Sequence, residues 1–209
     1  GNTITLDKPL VYMHFGAITF DVDERGEVGM LTRNIKVQAS EDAAQTFLGG
    51  HIMAMVTSKM YVEGVELNRM GQNLELARYP IHWHLVGDTG KGQYVRNAAI
   101  HDTFNRCVTV HGTNFLRVEN NVTYNTVGHC FFMEDGIEHS NEFVHNLAIQ
   151  TKCHTSKPCE PTNLAAAGES TVERQAIGPR GQQSTDVLLP SDNTVSSYWI
   201  TNPDNTFRD

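Results

Sequence analysis

Positive charge is scarce in this chain: 16 Lys and Arg residues stand against 24 Asp and Glu, a formal charge of −8. The basic residues are scattered, and nucleic acid requires them clustered against its phosphates, so that partner is excluded. No apolar run approaches the roughly 20 residues of a membrane-spanning helix. None of the four cysteines sits in a CxxC pair, which sets aside a zinc knuckle. A secretory leader is also missing, since Gly1-Asn2-Thr3-Ile4-Thr5 already alternates as a strand does. A secreted protein would therefore be met here after processing or as an internal piece. Helical periodicity and Gly-rich hairpins are both rare. What remains is a globular composition, 39% hydrophobic and 8% aromatic, in 209 residues. That is enough for one sizeable domain or part of a larger one.

A short pattern repeats. Val95-Arg96-Asn97-Ala98-Ala99-Ile100, Val118-Glu119-Asn120-Asn121-Val122-Thr123 and Val144-His145-Asn146-Leu147-Ala148-Ile149 share the form V-x-N-x-[AV]-x. Val62-Glu63-Gly64-Val65-Glu66-Leu67 is an earlier partner, with Leu85 to Gln93 as a loop insertion after it. Periods of roughly 20 to 30 residues without helical periodicity indicate a solenoid of strands. The fold class expected is all-β, a right-handed parallel β-helix. Asn suits its corners because it tolerates left-handed backbone geometry and can stack in hydrogen-bonded ladders. An antiparallel sandwich is the rival, and its strands should alternate more strictly.

The organisation follows. Residues 1–20 read as a preceding β-rich tail or first coil, and 21–151 as β-helix coils. Within them, residues 40–47 suit one helical turn capped by Ser40. Residues 152–193 form a polar inserted loop, and 194–209 resume a coil that stops in mid-pattern, as a truncated piece would. Cys153 and Cys159 flank a polar segment that a disulfide could close. Cys107 and Cys130 lie one coil apart, at matching positions on neighbouring rungs, compatible with a bridge or with buried thiols.

Five of the ten histidines fall between residues 78 and 136: His82, His84, His101, His111 and His129. Residues two apart in a strand share a face, so His82 and His84 point together, away from Ile81, Trp83 and Leu85. One coil on, His84 meets His111, and the next coil brings Glu134 and Asp135. His82, His84, His111 and His129 can ligate a divalent transition metal. Calcium would need oxygens, for which Asp88, Glu134 and Asp135 are nearest. The rival reading is a hydrogen-bonded histidine ladder, and it is the reading for His14, His51, His139, His145 and His154.

The segments "RYPIHWHLVGD", "IHDTFNRCVTVHG" and "GHCFFMEDG" resemble the β-helix region of the cell-migration-inducing, hyaluronan-binding proteins and the related transmembrane hyaluronidase. More distantly they resemble fibrocystin-like surface receptors. The likeness runs from "EVGMLTRNIKV" to "YWITNPDN", most of the chain. The animal proteins carry a longer segment than "TGKGQ" here, and residues 152–193 diverge. In that family a domain named for eight glycines precedes this region, and Gly1 to Phe20 look like its tail. The resemblance implies an extracellular or cell-surface location and the binding or depolymerisation of hyaluronan.

On that expectation the catalytic candidates are His82, His84, His111, Glu134 and Asp135, acting as acid and base at a sugar ring. Arg78, Arg106 and Trp83 are the substrate-binding candidates for an acidic glycan. Two other roles compete: a non-catalytic adhesive module of fibrocystin type, and a subunit that self-assembles through the β-helix ends.

Overall fold

The computed structural model describes residues 3–153 and 195–208. An antiparallel pair, β1 (Ile18–Thr19) and β2 (Val22–Asp23), precedes the solenoid. The arm around it leaves Val11, Tyr12, Met13 and Phe20 exposed, outside the core. After β3 (Ile35–Gln38), the one-turn helix α1 (Ala43–Thr46) is headed by Asp42, without a side-chain cap bond; Ser40 is not its cap.

Each following coil contributes three strands. The first has β4 (Ile52–Met55), β5 (Tyr61–Glu63) and β6 (Val65–Asn68), and the second β7 (Ile81–Gly87), β8 (Tyr94–Arg96) and β9 (Ala99–His101). The third has β10 (Val108–Thr113), β11 (Arg117–Glu119) and β12 (Val122–Val127), and the fourth β13 (Phe131–Met133), β14 (Glu142–Val144) and β15 (Leu147–Lys152). β16 (Tyr198–Trp199) and β17 (Thr206–Arg208) begin a fifth. They stack into three five-stranded sheets, β4-β7-β10-β13-β16, β5-β8-β11-β14-β17 and β3-β6-β9-β12-β15. Every pairing in these sheets is parallel. This is a parallel β-helix of about four turns, not a sandwich.

Corners sit where left-handed residues fall. Gly64, Asn97, Asn120 and His145 follow the second-sheet strands, Arg69 and Asp102 follow β6 and β9, and Asn125 and Gln150 bend β12 and β15 from within. Asn was the expected corner residue, and it holds three of these eight places. The third repeat starts one residue earlier than its V-x-N pattern suggests. Val118 pairs with Val95 but faces Phe143, while Val144 faces Glu119. Backbone conformation, not residue identity, sets the register: His145 takes the corner held by Asn97 and Asn120, so Asn146 stacks on Asn121. Asn121 Oδ1 accepts from the Ala98 N–H at 3.0 Å, and its amide donates to the Val95 carbonyl at 3.1 Å and Asn146 Oδ1 at 2.9 Å.

The core runs along the axis through Leu67, Trp83, Val95, Ile100, Val110, Val118, Phe131 and Met133. Cys107 and Cys130, both fully buried, form a disulfide just before β10 and β13. The Cys153–Cys159 and His154 expectations involve residues outside those described. Among the described residues no helix is long and apolar enough to cross a membrane.

Candidate functional site

The first sheet is apolar on its inner face and polar on its outer one. Ile81 and Trp83 point inward, and Trp83 Nε1 donates to the buried Gln93 Oε1 at 3.0 Å. Trp83 is fully buried and cannot meet a sugar, which corrects its place among the substrate-binding candidates. His82 and His84 point outward, and the register sets His111 beside His84. Glu134 continues the line, its N–H bonded to the Val110 carbonyl at 3.1 Å.

A second layer covers part of this outer face. The Tyr79 ring lies 4.9 Å from the His82 ring, and the Arg106 guanidinium lies 3.7 Å from the Phe132 ring centre and 5.1 Å from that of Tyr79. Arg106 Nη1 donates to the Tyr79 hydroxyl at 3.1 Å. Arg106 is therefore buried and unavailable to an external polymer, a second correction. Arg78 is exposed, but its charge acts on His51 instead of the cluster.

The same cover makes His82 fully buried although it faces out of the sheet. Burial, reinforced by the charges of His84, His111 and Arg106, pulls its pKa down to about 3 against a hydrogen bond to the Ala77 carbonyl, so the ring is neutral. His82 Nδ1–H donates to that carbonyl at 3.1 Å. Nε2, with no hydrogen-bond partner, carries the lone pair. His84 is also lowered, by burial first and then by His111, with Asp135 opposing.

His111 Nε2 lies 2.8 Å from Asp135 Oδ2, so it is the protonated nitrogen. Its Nδ1 faces His84 Nδ1 at 3.0 Å and Glu134 Oε2 at 3.6 Å. Burial raises the Glu134 pKa, with His111 and Arg106 opposing and Asp135 and Glu138 adding to it. Glu134 Oε2 is buried without a hydrogen-bond partner.

His82, His84 and His111 thus each offer one ligand atom within 4.8 Å of the others. His129 does not join them. Its ring packs on Phe132 and Trp199, and its Nδ1 accepts from the Ser196 N–H at 3.1 Å. Asp88 accepts from Asn114 elsewhere on the surface.

Two features escaped sequence reasoning. Glu138 is fully buried, and its carboxylate accepts from the N–H groups of Gly112, Asp135 and Gly136 at 2.8, 3.0 and 2.8 Å. It pins the residues next to His111 and Glu134, yet one Glu among 24 acidic residues carries no sequence signal. The second is a cleft of about 440 Å³ at the corner after the third sheet, lined by Phe47, Arg69, Asp102, Phe104, Asn125 and Lys152 among others. Only the coil geometry brings those residues together.

Residues 47–209 match the family described as CEMIP beta-helix. The human cell surface hyaluronidase CEMIP2 is 39% identical over 93% of this chain and 15% of its own length. The mouse cell migration-inducing and hyaluronan-binding protein is 38% identical over the same shares. Mouse fibrocystin-L is 36% identical over all of this chain and 5% of its own length. The chain thus spans a small fraction of these relatives. With the parallel coils described above, the match places it: this chain belongs to the CEMIP beta-helix family.

Proposed function

We propose that the chain is the β-helix module of an extracellular or cell-surface protein that binds an acidic polysaccharide of the hyaluronan type, with depolymerisation as the associated chemistry. The polymer would cross the outer face of the first sheet at His84, His111, Glu134 and Asp135. The observation that carries this reading is the convergence of half-buried imidazoles and carboxyls on one face, in a family whose relatives are named for hyaluronan. Imidazole and carboxyl groups bond sugar hydroxyls and are the groups that acid–base cleavage of a glycosidic bond employs. The named Arg and Trp candidates add little, since two are buried and the third lies apart.

The test is binding and size reduction of labelled hyaluronan by the intact protein. Variants would be His84→Ala with His111→Ala on this face, and Lys152→Ala at the cleft. Loss in the histidine pair with retention in the Lys152 variant supports the assignment. The reverse pattern moves the polymer to the cleft. Wild-type protein that neither binds nor shortens the polymer overturns the reading and leaves the adhesive role that the fibrocystin-L likeness favours.

A further inference from the structure

We propose that His82 Nε2, His84 Nδ1 and His111 Nδ1, with the Glu134 carboxylate as fourth donor, form a site for a divalent transition ion of the zinc class. The inference stands on geometry and is independent of glycan binding. First-row ions that favour imidazole bind neutral rings through one nitrogen and hold the other in a hydrogen bond to a carbonyl or carboxylate. Two of the three rings are arranged in that way. His82 gives Nδ1–H to the Ala77 carbonyl, and His111 gives Nε2–H to Asp135. In each case the tautomer so fixed leaves the lone pair on the nitrogen that faces the cluster.

Distances agree. Two nitrogens on a tetrahedral zinc at roughly 2.0–2.1 Å stand about 3.3 Å apart. The His84 and His111 Nδ1 atoms are 3.0 Å apart, and all three ligand nitrogens lie within 4.8 Å. Closure needs the widest pair to shorten by up to about 1.5 Å. The unsatisfied atoms point the same way. His82 Nε2 and Glu134 Oε2 are both buried without hydrogen bonds, and both belong to this cluster. Three imidazoles also decide the class, because calcium takes a cage of oxygens. A divalent ion would offset the carboxylates of Glu134 and Asp135 on the face where a polyanion is proposed to lie.

The test is titration of the chelator-treated intact protein with Zn2+ alone, followed by calorimetry. One equivalent should bind. His84→Ala with His111→Ala should weaken binding at least 100-fold, while the thermal midpoint of the metal-free protein shows the variant folded. Asp135→Ala removes the acceptor that orients His111 and should weaken binding about 10- to 100-fold. No Zn2+ binding, or binding unchanged in the histidine pair, overturns the site. Equal binding of Ca2+ overturns the ion class. Because no sugar is present, failure here leaves the polysaccharide reading untouched, and failure of hyaluronan binding leaves this one untouched.

Discussion

Glu138 is the residue on which the geometry of the site turns, and Glu138→Gln is the perturbation that isolates its role. The carboxylate has no exposed surface and accepts three backbone N–H bonds, two through Oε1 from Gly112 and Asp135 and one through Oε2 from Gly136. In the Gln variant the remaining oxygen can keep the first two. The amide nitrogen then faces the Gly136 N–H, donor against donor, and the charge that strengthened all three bonds is gone. A hydrogen bond to a charged group contributes about 1.5–3 kcal/mol, and a buried donor left unmet costs about 1–3 kcal/mol. The variant should therefore lose about 2–4 kcal/mol. At roughly 2–4 °C per kcal/mol for a chain of this size, the thermal midpoint should fall by about 4–16 °C. Glu138 bridges the segment after His111 and the segment after Glu134, so the His111–Asp135 contact should loosen in the same variant. Denaturant unfolding measures the first effect, and NMR of the His111 Nε2–H proton the second. A loss below about 1 kcal/mol with the His111 signal unmoved would refute the account.

Two further expectations follow from the same structure. Replacing both Cys107 and Cys130 with Ala removes a cross-link that closes a sequence separation of 23 residues; the loop-entropy relation gives about 3 kcal/mol, readable as a shift in denaturation midpoint, and an unchanged midpoint counts against it. Tyr198 is raised to about 12 by burial, with Glu27 adding to the shift, and its hydroxyl donates to the Asn146 carbonyl at 2.8 Å. Its folded pKa exceeds the unfolded value of about 10, so the folded state holds the proton longer. Stability is then full below pH ~10 and falls as pH rises toward ~12, by up to about 2 kcal/mol after discounting partial exposure. Comparing wild type with Tyr198→Phe across that window should show the loss only in the wild type.

The coil repeat was legible because a solenoid writes its period into the sequence. The 23-residue offset between Val95 and Val118 is the register that pairs them, and it aligns Cys107 with Cys130 as well. His84 beside His111 was legible for the same reason, through strand alternation and one coil of offset. The third repeat slipped by one residue because side-chain identity stood in for backbone conformation, and His145 occupies a left-handed corner where Asn was expected. Arg106 was misplaced for a different reason. Its charge suggested an exposed face, but the segment carrying it folds back over the sheet and stacks its guanidinium between two aromatic rings. Strand periodicity says nothing about such a second layer, and the burial of His82 follows from that layer as well.

The decisive contrast lies between two histidine-bearing lines on the same solenoid. On the third sheet, His101 has Nε2 on Glu66 at 3.1 Å and Nδ1 on Asp102 at 2.7 Å, while Lys36 meets the same Glu66 oxygen at 2.7 Å. Both ring nitrogens have partners there, which is how a β-helix neutralises polar residues that its repeat forces into register. On the first sheet the same stacking brings three imidazoles together, yet Nε2 of His82 and one oxygen of Glu134 lack hydrogen bonds. A purely structural ladder would close those two atoms on each other or on a neighbour, since a buried polar atom left unmet costs about 1–3 kcal/mol. At His101 the fold satisfies both ring nitrogens. The unmet His82 nitrogen and Glu134 oxygen beside His84 and His111 are what favours the proposed metal site over a ladder.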